Sequence, residues 1–202
     1  MGQAEEVKLR IKLKGVRDIM FNRYPGQNGI ELEPEQKVYY KADGKTLCIP
    51  SVNIYSLLGA QNTLSVAKRF YGKKWREIAL AATGFIDIDP QEIPLTRNGK
   101  PIVFKGFDDG KKTVSGIYVH RSVARLKDGI PSPQARPTIK LPWEIEFKLT
   151  LYPNDNLTES ILRQMFEKGG LCIGLGAYRG VFGKFEVAKW EEIKKEKSKG
   201  KK

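Results

Sequence analysis

Apolar and charged residues alternate strictly near the start of the chain, where Val7, Leu9, Ile11 and Leu13 interleave with Lys8, Arg10, Lys12 and Lys14. A period of two puts every apolar side chain on one side, which predicts a strand with one buried and one solvated face. The alternation returns in Trp143, Ile145, Phe147, Leu149 and Leu151 and predicts a second such strand. Phe21 to Gly29, with Asn22, Pro25, Gly26 and Asn28, reads as a loop. Val38 to Tyr40 and Thr46 to Ile49 read as a short hairpin closed by Ala42-Asp43-Gly44-Lys45, since Asp-Gly suits a tight turn. Beyond Pro50 the spacing changes to Val52, Ile54, Leu57 and Leu58, then, after a break near Gly59, to Leu64, Val66, Ala67 and Phe70. This is a helical region, and Pro in its first turn forfeits no intrahelical bond. Thr83 to Ile88 predicts a strand, and Arg97 to Lys100 a turn.

Gly106 to Pro142 is dense in breakers, among them Gly110, Gly116, Gly129, Pro131, Pro133 and Pro137, around a strand-like Ile117 to Leu126. It is expected to project from the core as an extended hairpin or loop. Leu157, Ile161, Leu162, Met165 and Phe166 form a helical stripe. Asn156 with Glu159 resembles a capping box, and Gly169-Gly170 suits a C-terminal cap. Leu171 to Ile173 and Phe182 to Trp190 flank a glycine-rich loop, the second segment reading as a strand. The element order predicts an α+β fold, a ferredoxin-like or RNA-recognition-motif-like antiparallel sheet with two helical regions and a long basic β-hairpin insertion at about residues 97–142. Residues 1–190 are expected to form a single domain and 191–202 a Lys-rich, solvated tail.

A chain of 202 residues is long enough for one large core. No apolar run approaches the roughly 18 residues that cross a bilayer. Met1 to Lys14 lacks the apolar centre of a secretory signal, which predicts a cytoplasmic protein with no membrane partner. Cys48 and Cys172 are far apart and His120 is the single histidine, so neither a disulfide framework nor a metal site is expected, and no cofactor is implied. The formal charge of +13 is unevenly spread. Lys189 to Lys202 holds seven Lys against three Glu, and Arg97 to Lys140 holds ten Lys or Arg against three Asp. Such concentration attracts polyanions by counterion release.

Three groups of residues are candidates for that contact. Gly174, Gly176, Tyr178, Arg179, Gly180 and Lys184 lie in the glycine-rich segment, where glycine N–H groups could face phosphates and Tyr178 and Arg179 could contact an extended strand. The spacing is not that of a dinucleotide-binding loop, and the order helix, loop, strand is reversed relative to one. Lys68, Arg69, Lys73, Lys74 and Arg76 interleave with Phe70, Tyr71 and Trp75, a composition that neutralises phosphates and stacks bases. Arg121, Arg125, Lys127, Arg136 and Lys140 lie in the projecting insertion, where few structural roles compete. His120 could act as general acid or base, and Asp108 or Asp109 could hold a cation or position a hydroxyl, although a lone histidine in a strand is more often structural or exposed and a turn is the better account of the aspartates.

The segment Ile173 to Phe185, a helix followed by Gly174-Leu175-Gly176, Arg179 and Phe182-Gly183-Lys184-Phe185 and then a strand, resembles the glycine-rich loop of the RAMP superfamily, the repeat-associated RNA-binding proteins of CRISPR systems. Leu47 to Leu58 is similar to the segment of that superfamily in which a strand ends in Ile-Pro and a helix begins beside the bound backbone. The basic insertion and single-module length are most similar to backbone subunits that polymerise along guide RNA. The resemblance implies an RNA or single-stranded nucleic-acid partner, self-association or other effector subunits, and a thumb-like role for the insertion. It also implies that a metal-independent or loop-aspartate endoribonuclease is the enzymatic alternative. A basic module that masks an acidic protein partner is the third reading.

Overall fold

The computed structural model describes residues 5–27, 30–61, 64–109, 115–125, 129 and 131–194. In chain order the elements are β1 Val7–Gly15, β2 Ile19–Met20, a 3-10 turn Pro34–Lys37, β3 Cys48–Pro50, α1 Val52–Gly59, α2 Val66–Phe70 and a 3-10 turn Gly72–Lys74. There follow α3 Trp75–Gly84, β4 Ile86–Asp89, β5 Glu92–Pro94, β6 Thr96–Arg97, β7 Lys100–Pro101, β8 Ile117–Arg125, β9 Pro131–Ile139, β10 Glu144–Leu151, α4 Glu159–Cys172 and β11 Phe185–Glu192.

The central sheet runs β11-β1-β10-β4, every neighbour antiparallel, with Val7 opposite Leu151, Leu13 opposite Ile145 and Ile88 opposite Leu149. With α1 to α3 between β1 and β4, and α4 between β10 and β11, this is the ferredoxin-like split βαβ arrangement. Leu9, Ile11 and Leu13 of β1 and Ile145, Phe147, Leu149 and Leu151 of β10 are buried on one face under Leu57, Leu58, Ala82, Leu162, Met165 and Phe166 of the helices. Each such side chain contributes about 1.5–3 kcal/mol on burial, so the alternation read in the sequence is the main determinant of the sheet's orientation. Among the described residues no helix is long and apolar enough to cross a membrane.

Several boundaries differ from the sequence reading, each for a local reason. Helix α3 continues through Thr83 to Gly84, with the Phe85 N–H still donating to Ala81 at 3.0 Å and the Thr83 hydroxyl satisfied within the helix by the Ala79 carbonyl at 2.9 Å. The cap of α4 is Thr158, whose hydroxyl accepts from the Ile161 N–H, while Glu159 accepts from the Trp190 indole at 2.9 Å. Asn154, not Asn156, organises the preceding turn by accepting from the N–H groups of Asn156 and Leu157. Gly169 and Gly170 lie inside α4, and Leu171 and Cys172 form its last turn rather than a strand. A Cβ at Gly169 would meet Val66 and Leu57, and one at Gly170 would meet Phe185, so these glycines bring the helix close to its neighbours instead of ending it. Tyr40 and Leu47 do form a bridge around Asp43, but Cys48–Pro50 pairs with β5 in place of a longer hairpin.

The projecting insertion is a two-stranded hairpin in which β8 pairs with β9 from Ile117–Ile139 out to Arg125–Pro131. Three prolines in one strand need an explanation. The Pro137 carbonyl accepts from Phe21 and the Ala135 carbonyl from the Lys37 ammonium, so odd-numbered residues of β9 turn their polar groups away from β8. Pro131, Pro133 and Pro137 all occupy odd positions, and their missing N–H groups cost the ladder nothing.

Candidate nucleic-acid interface

The loop between α4 and β11 closes upon itself. Gly174, Gly176, Gly180 and Gly183 all have positive φ, between 69° and 93°, and so does Tyr178 at 50°. The N–H of Gly174 donates to Gly169, that of Gly180 to Ile173 and that of Gly183 to the Asp18 carbonyl at 2.7 Å. The expectation that these glycine amides face phosphates is therefore corrected for three of the four, whose donors are consumed by the protein backbone. Gly183 and Gly174 instead allow the two limbs of the loop to touch, and Gly176 lies against the Met20 carbonyl. What the loop presents outward is side chain. Tyr178 is 55% exposed and Val181 54%. Arg179 is half-buried, and desolvation pulls its guanidinium pKa below the ordinary value.

Asp18 joins this loop to the base of the hairpin. Its carboxylate accepts from the Leu141 N–H at 3.0 Å and from the Tyr118 hydroxyl at 3.2 Å, while its carbonyl accepts from Gly183. Burial, and then the Asp18 charge and hydrogen bond, push the Tyr118 phenol up to about 12. Two depressions meet at Asp18 and Leu141. One, of about 490 Å³, is lined by Arg17, Gly180, Val181, Phe182 and Lys184, and the other, of about 550 Å³, by Tyr118, Asp108 and Lys140. Asp18 and Leu141 line both, so the two depressions flank the junction between the glycine loop and the hairpin root. Phe182 lines the first depression, its ring 5.9 Å from that of Tyr178 and 5.2 Å from that of His120. Sequence reasoning found Gly180, Lys184, Lys140 and Asp108 among these lining residues but missed Arg17, Asp18, Tyr118 and Phe182. Phe182 lay within the quoted loop motif, whereas nothing local marks Asp18 as a junction between segments distant in the chain.

The hairpin residues divide. Arg121 is exposed on β8. Arg136 is half-buried opposite His120 and donates to Gln134 at 3.0 Å, while its Nε is buried without a partner. Lys127 lies outside the described residues, as does the side chain of Arg125. Lys140 is committed to Asp108 by an ion pair of 3.0 Å and lies over the Tyr118 ring. Asp108, only 3% exposed at its side chain, also accepts from the N–H groups of Ser115 and Gly116. It is therefore an internal anchor of the hairpin root, and its expected availability to a substrate hydroxyl is corrected; Asp109 is exposed. Among the described residues no group of three His, Cys, Asp or Glu side chains could hold a metal. Burial raises the Cys48 thiol to about 11, as expected of a buried and inert cysteine.

Lys68, Arg69, Lys73, Lys74 and Arg76 lie elsewhere, on the helical side, and all are exposed. Lys68 and Arg76 stand 5.7 and 5.4 Å from the Trp75 ring, Arg69 stands 5.9 Å from Phe70, and Lys168 of α4 stands 5.8 Å from Phe70 and 5.6 Å from Tyr71. The expected base stacking on these rings is disfavoured by magnitude. Displacing two cations from one ring forfeits about 1–2 kcal/mol, which offsets most of the 1–3 kcal/mol a stacked base gains. The Tyr178 ring carries no such burden.

The open face of the central sheet differs from both. Lys12 pairs with Glu144 at 2.9 Å, Arg10 with Glu146 and Lys14 with Glu186 at 3.9 Å. Outward positions of β1, β10 and β4 hold Lys8, Arg10, Lys12, Lys14, Glu144, Glu146, Lys148, Thr150, Asp87 and Asp89, without a ring among them. Within these strands the face therefore lacks the rings with which an RNA-recognition motif stacks bases, although the exposed Tyr152 stands just past the end of β10 and bonds Asp87.

No protein-family model and no curated protein matches the chain. Among solved structures it is similar to a chain in the cryo-electron microscopy structure of the Type III-B Cmr-beta complex bound to cognate target RNA, with a TM-score of 0.53 at 16% sequence identity. The similarity covers 94% of this chain and 61% of that one, so the chain spans less than two thirds of the length of its structural neighbour. At this identity the likeness establishes a shared fold, the antiparallel α+β architecture described above.

Proposed function

We propose that the protein binds single-stranded nucleic acid, RNA foremost, in the groove between the glycine-rich loop and the hairpin root, and that copies assemble side by side along the strand with other effector subunits of a CRISPR-type complex. The observation that carries this reading is the convergence, at one depression, of exposed Arg17 and half-buried Lys184 with Phe182, against which the exposed Tyr178 ring of the self-supporting loop leans. Cations neutralise the phosphates while the ring accepts a base without regard to sequence. The RNA-bound state of the structural neighbour supports the choice of ligand and of a multi-subunit setting. The hairpin, projecting beside the groove, is the element that would reach a neighbouring subunit or separate bases. Residues 1–190 then act as one nucleic-acid-binding module. Cleavage is not part of the proposal, because Asp108 is committed to Lys140 and the backbone, and the His120 ring packs against Phe182.

The test is titration of a labelled single-stranded RNA with Arg179→Ala, read beside thermal melting. A charge-assisted contact from a partly desolvated guanidinium is worth about 1.5–3 kcal/mol, so affinity should fall by tens-fold at a temperature where melting shows the variant to be fully folded. Normal binding by a variant that melts early would reduce the loop to a structural turn.

A further inference from the structure

We propose that the face built by α2, the Gly72–Lys74 turn, the start of α3 and the C-terminal half of α4 is a second nucleic-acid surface, whose ligand is the phosphate backbone of a duplex. It shares no residue with the groove and stands or falls separately from it. Lys68, Arg69, Lys73, Lys74, Arg76 and Lys168 are all exposed there. None is in an ion pair among the described residues, and nearby Glu167 is taken by Arg163 at 3.1 Å. The open sheet face has a comparable number of cations, but there the carboxylates of β10 and β11 answer several of them. Of these two faces, among the described residues, the helical one therefore keeps the larger excess of cations, six against the exposed Glu77 and the paired Glu167.

The rings determine which polyanion that field suits. Phe70, Tyr71 and Trp75 are half-buried and each has at least one cation within 6 Å of its centre. Cations held against rings on short helices are partly ordered before a ligand arrives, which lowers the entropy lost on contact. Rings so engaged are not open to bases, and they are not free to insert among lipid headgroups as membrane-anchoring aromatics do. A surface of ordered cations without open rings reads phosphates alone. A duplex, which keeps its bases stacked inside and displays phosphates at regular intervals, is the ligand that loses nothing on such a surface.

Lys73 and Lys74 lie on an exposed turn; Lys74 bonds Tyr71 through its backbone N–H, which glutamine keeps, so Lys73→Gln with Lys74→Gln should leave the fold intact, as a melting curve verifies. The probes are a short blunt-ended DNA duplex and a single strand of the same length, each titrated by fluorescence anisotropy over a range of salt. The double variant should bind the duplex about tenfold more weakly and bind the single strand within about twofold of the parent. Its log–log salt slope for the duplex should flatten by about 1.8, since each lost phosphate contact removes about 0.9. Tyr178→Gly should show the reverse pattern. A parent protein that ignores the duplex at low salt, a double variant that binds it normally, or equal loss of both ligands overturns the proposal. So does binding to phosphatidylserine vesicles that the double variant loses while keeping the duplex. Failure of the single-strand arm alone strikes only the groove.

Discussion

The glycine loop and the α2–α3 face have nearly the same vocabulary, cations set among aromatic rings, yet they present it in opposite ways. In the loop a backbone in the left-handed region pushes Tyr178 outward, 55% exposed, beside a half-buried arginine. On the helices the rings are half-buried and the cations lie against them. The difference teaches that a basic, aromatic composition specifies affinity for polyanions, whereas the availability of a ring face determines whether bases or only phosphates are read.

The comparison is broken most severely at Gly183. A Cβ there would strike the Leu175 backbone at a φ of 69°, so Gly183→Val should collapse the loop, cost more than about 3 kcal/mol and lower the melting temperature by ten degrees or so. Gly180→Ala, at a φ of 93° with open space around it, should cost only about 1 kcal/mol. Equal melting of the two variants would mean the loop is not self-supporting.

Next in size is Tyr178→Gly, which removes the ring and suits the φ of 50°. Single-strand affinity should drop by about tenfold or more, from a stacking contribution of 1–3 kcal/mol, while stability holds or rises slightly. Loss of stability with unchanged affinity would place Tyr178 among structural residues.

A smaller effect concerns the junction. The Tyr118 phenol is raised from 10 to about 12, so its neutral, hydrogen-bonded form contributes stability below pH 10 that is lost as pH rises through 12. In a series of melts across that window the parent should lose stability faster than Tyr118→Phe, and parallel curves would remove Tyr118 from the Asp18 anchor. Smallest of all is Lys12→Ala on the open sheet face. A pair that is partly exposed should contribute about 1 kcal/mol or less, and single-strand affinity should stay within about twofold. A large loss of affinity would move the binding face onto the sheet.

Much of this architecture was legible before any tertiary contact was considered. The alternation in Val7–Leu13 and Trp143–Leu151 and the stripe in Leu157–Phe166 identified the two central strands and the second helix, because burying one face dominates the energetics of each element. The hairpin's first strand was legible too, but its second was not, since three prolines argue against a strand unless the side on which each N–H points is known. Gly169 and Gly170 were misread for a related reason: glycine serves equally to end a helix and to let another chain approach it.

The interface itself was only partly readable. Tyr178, Arg179 and Lys184 stood out by type and spacing, and the cations of residues 68–76 by density. That Lys140 and Asp108 neutralise each other, or that Lys12 is answered by Glu144, depends on partners 32 and 132 positions away in the chain. The sequence by itself determined the fold class, the basic character and the loop as a candidate site, all properties of local pattern and composition. Only the tertiary structure decided which cations remain unpaired, which ring stays open and that Asp18 ties the loop to the hairpin, because charge and exposure belong to side chains brought together by the fold and not to their order along it.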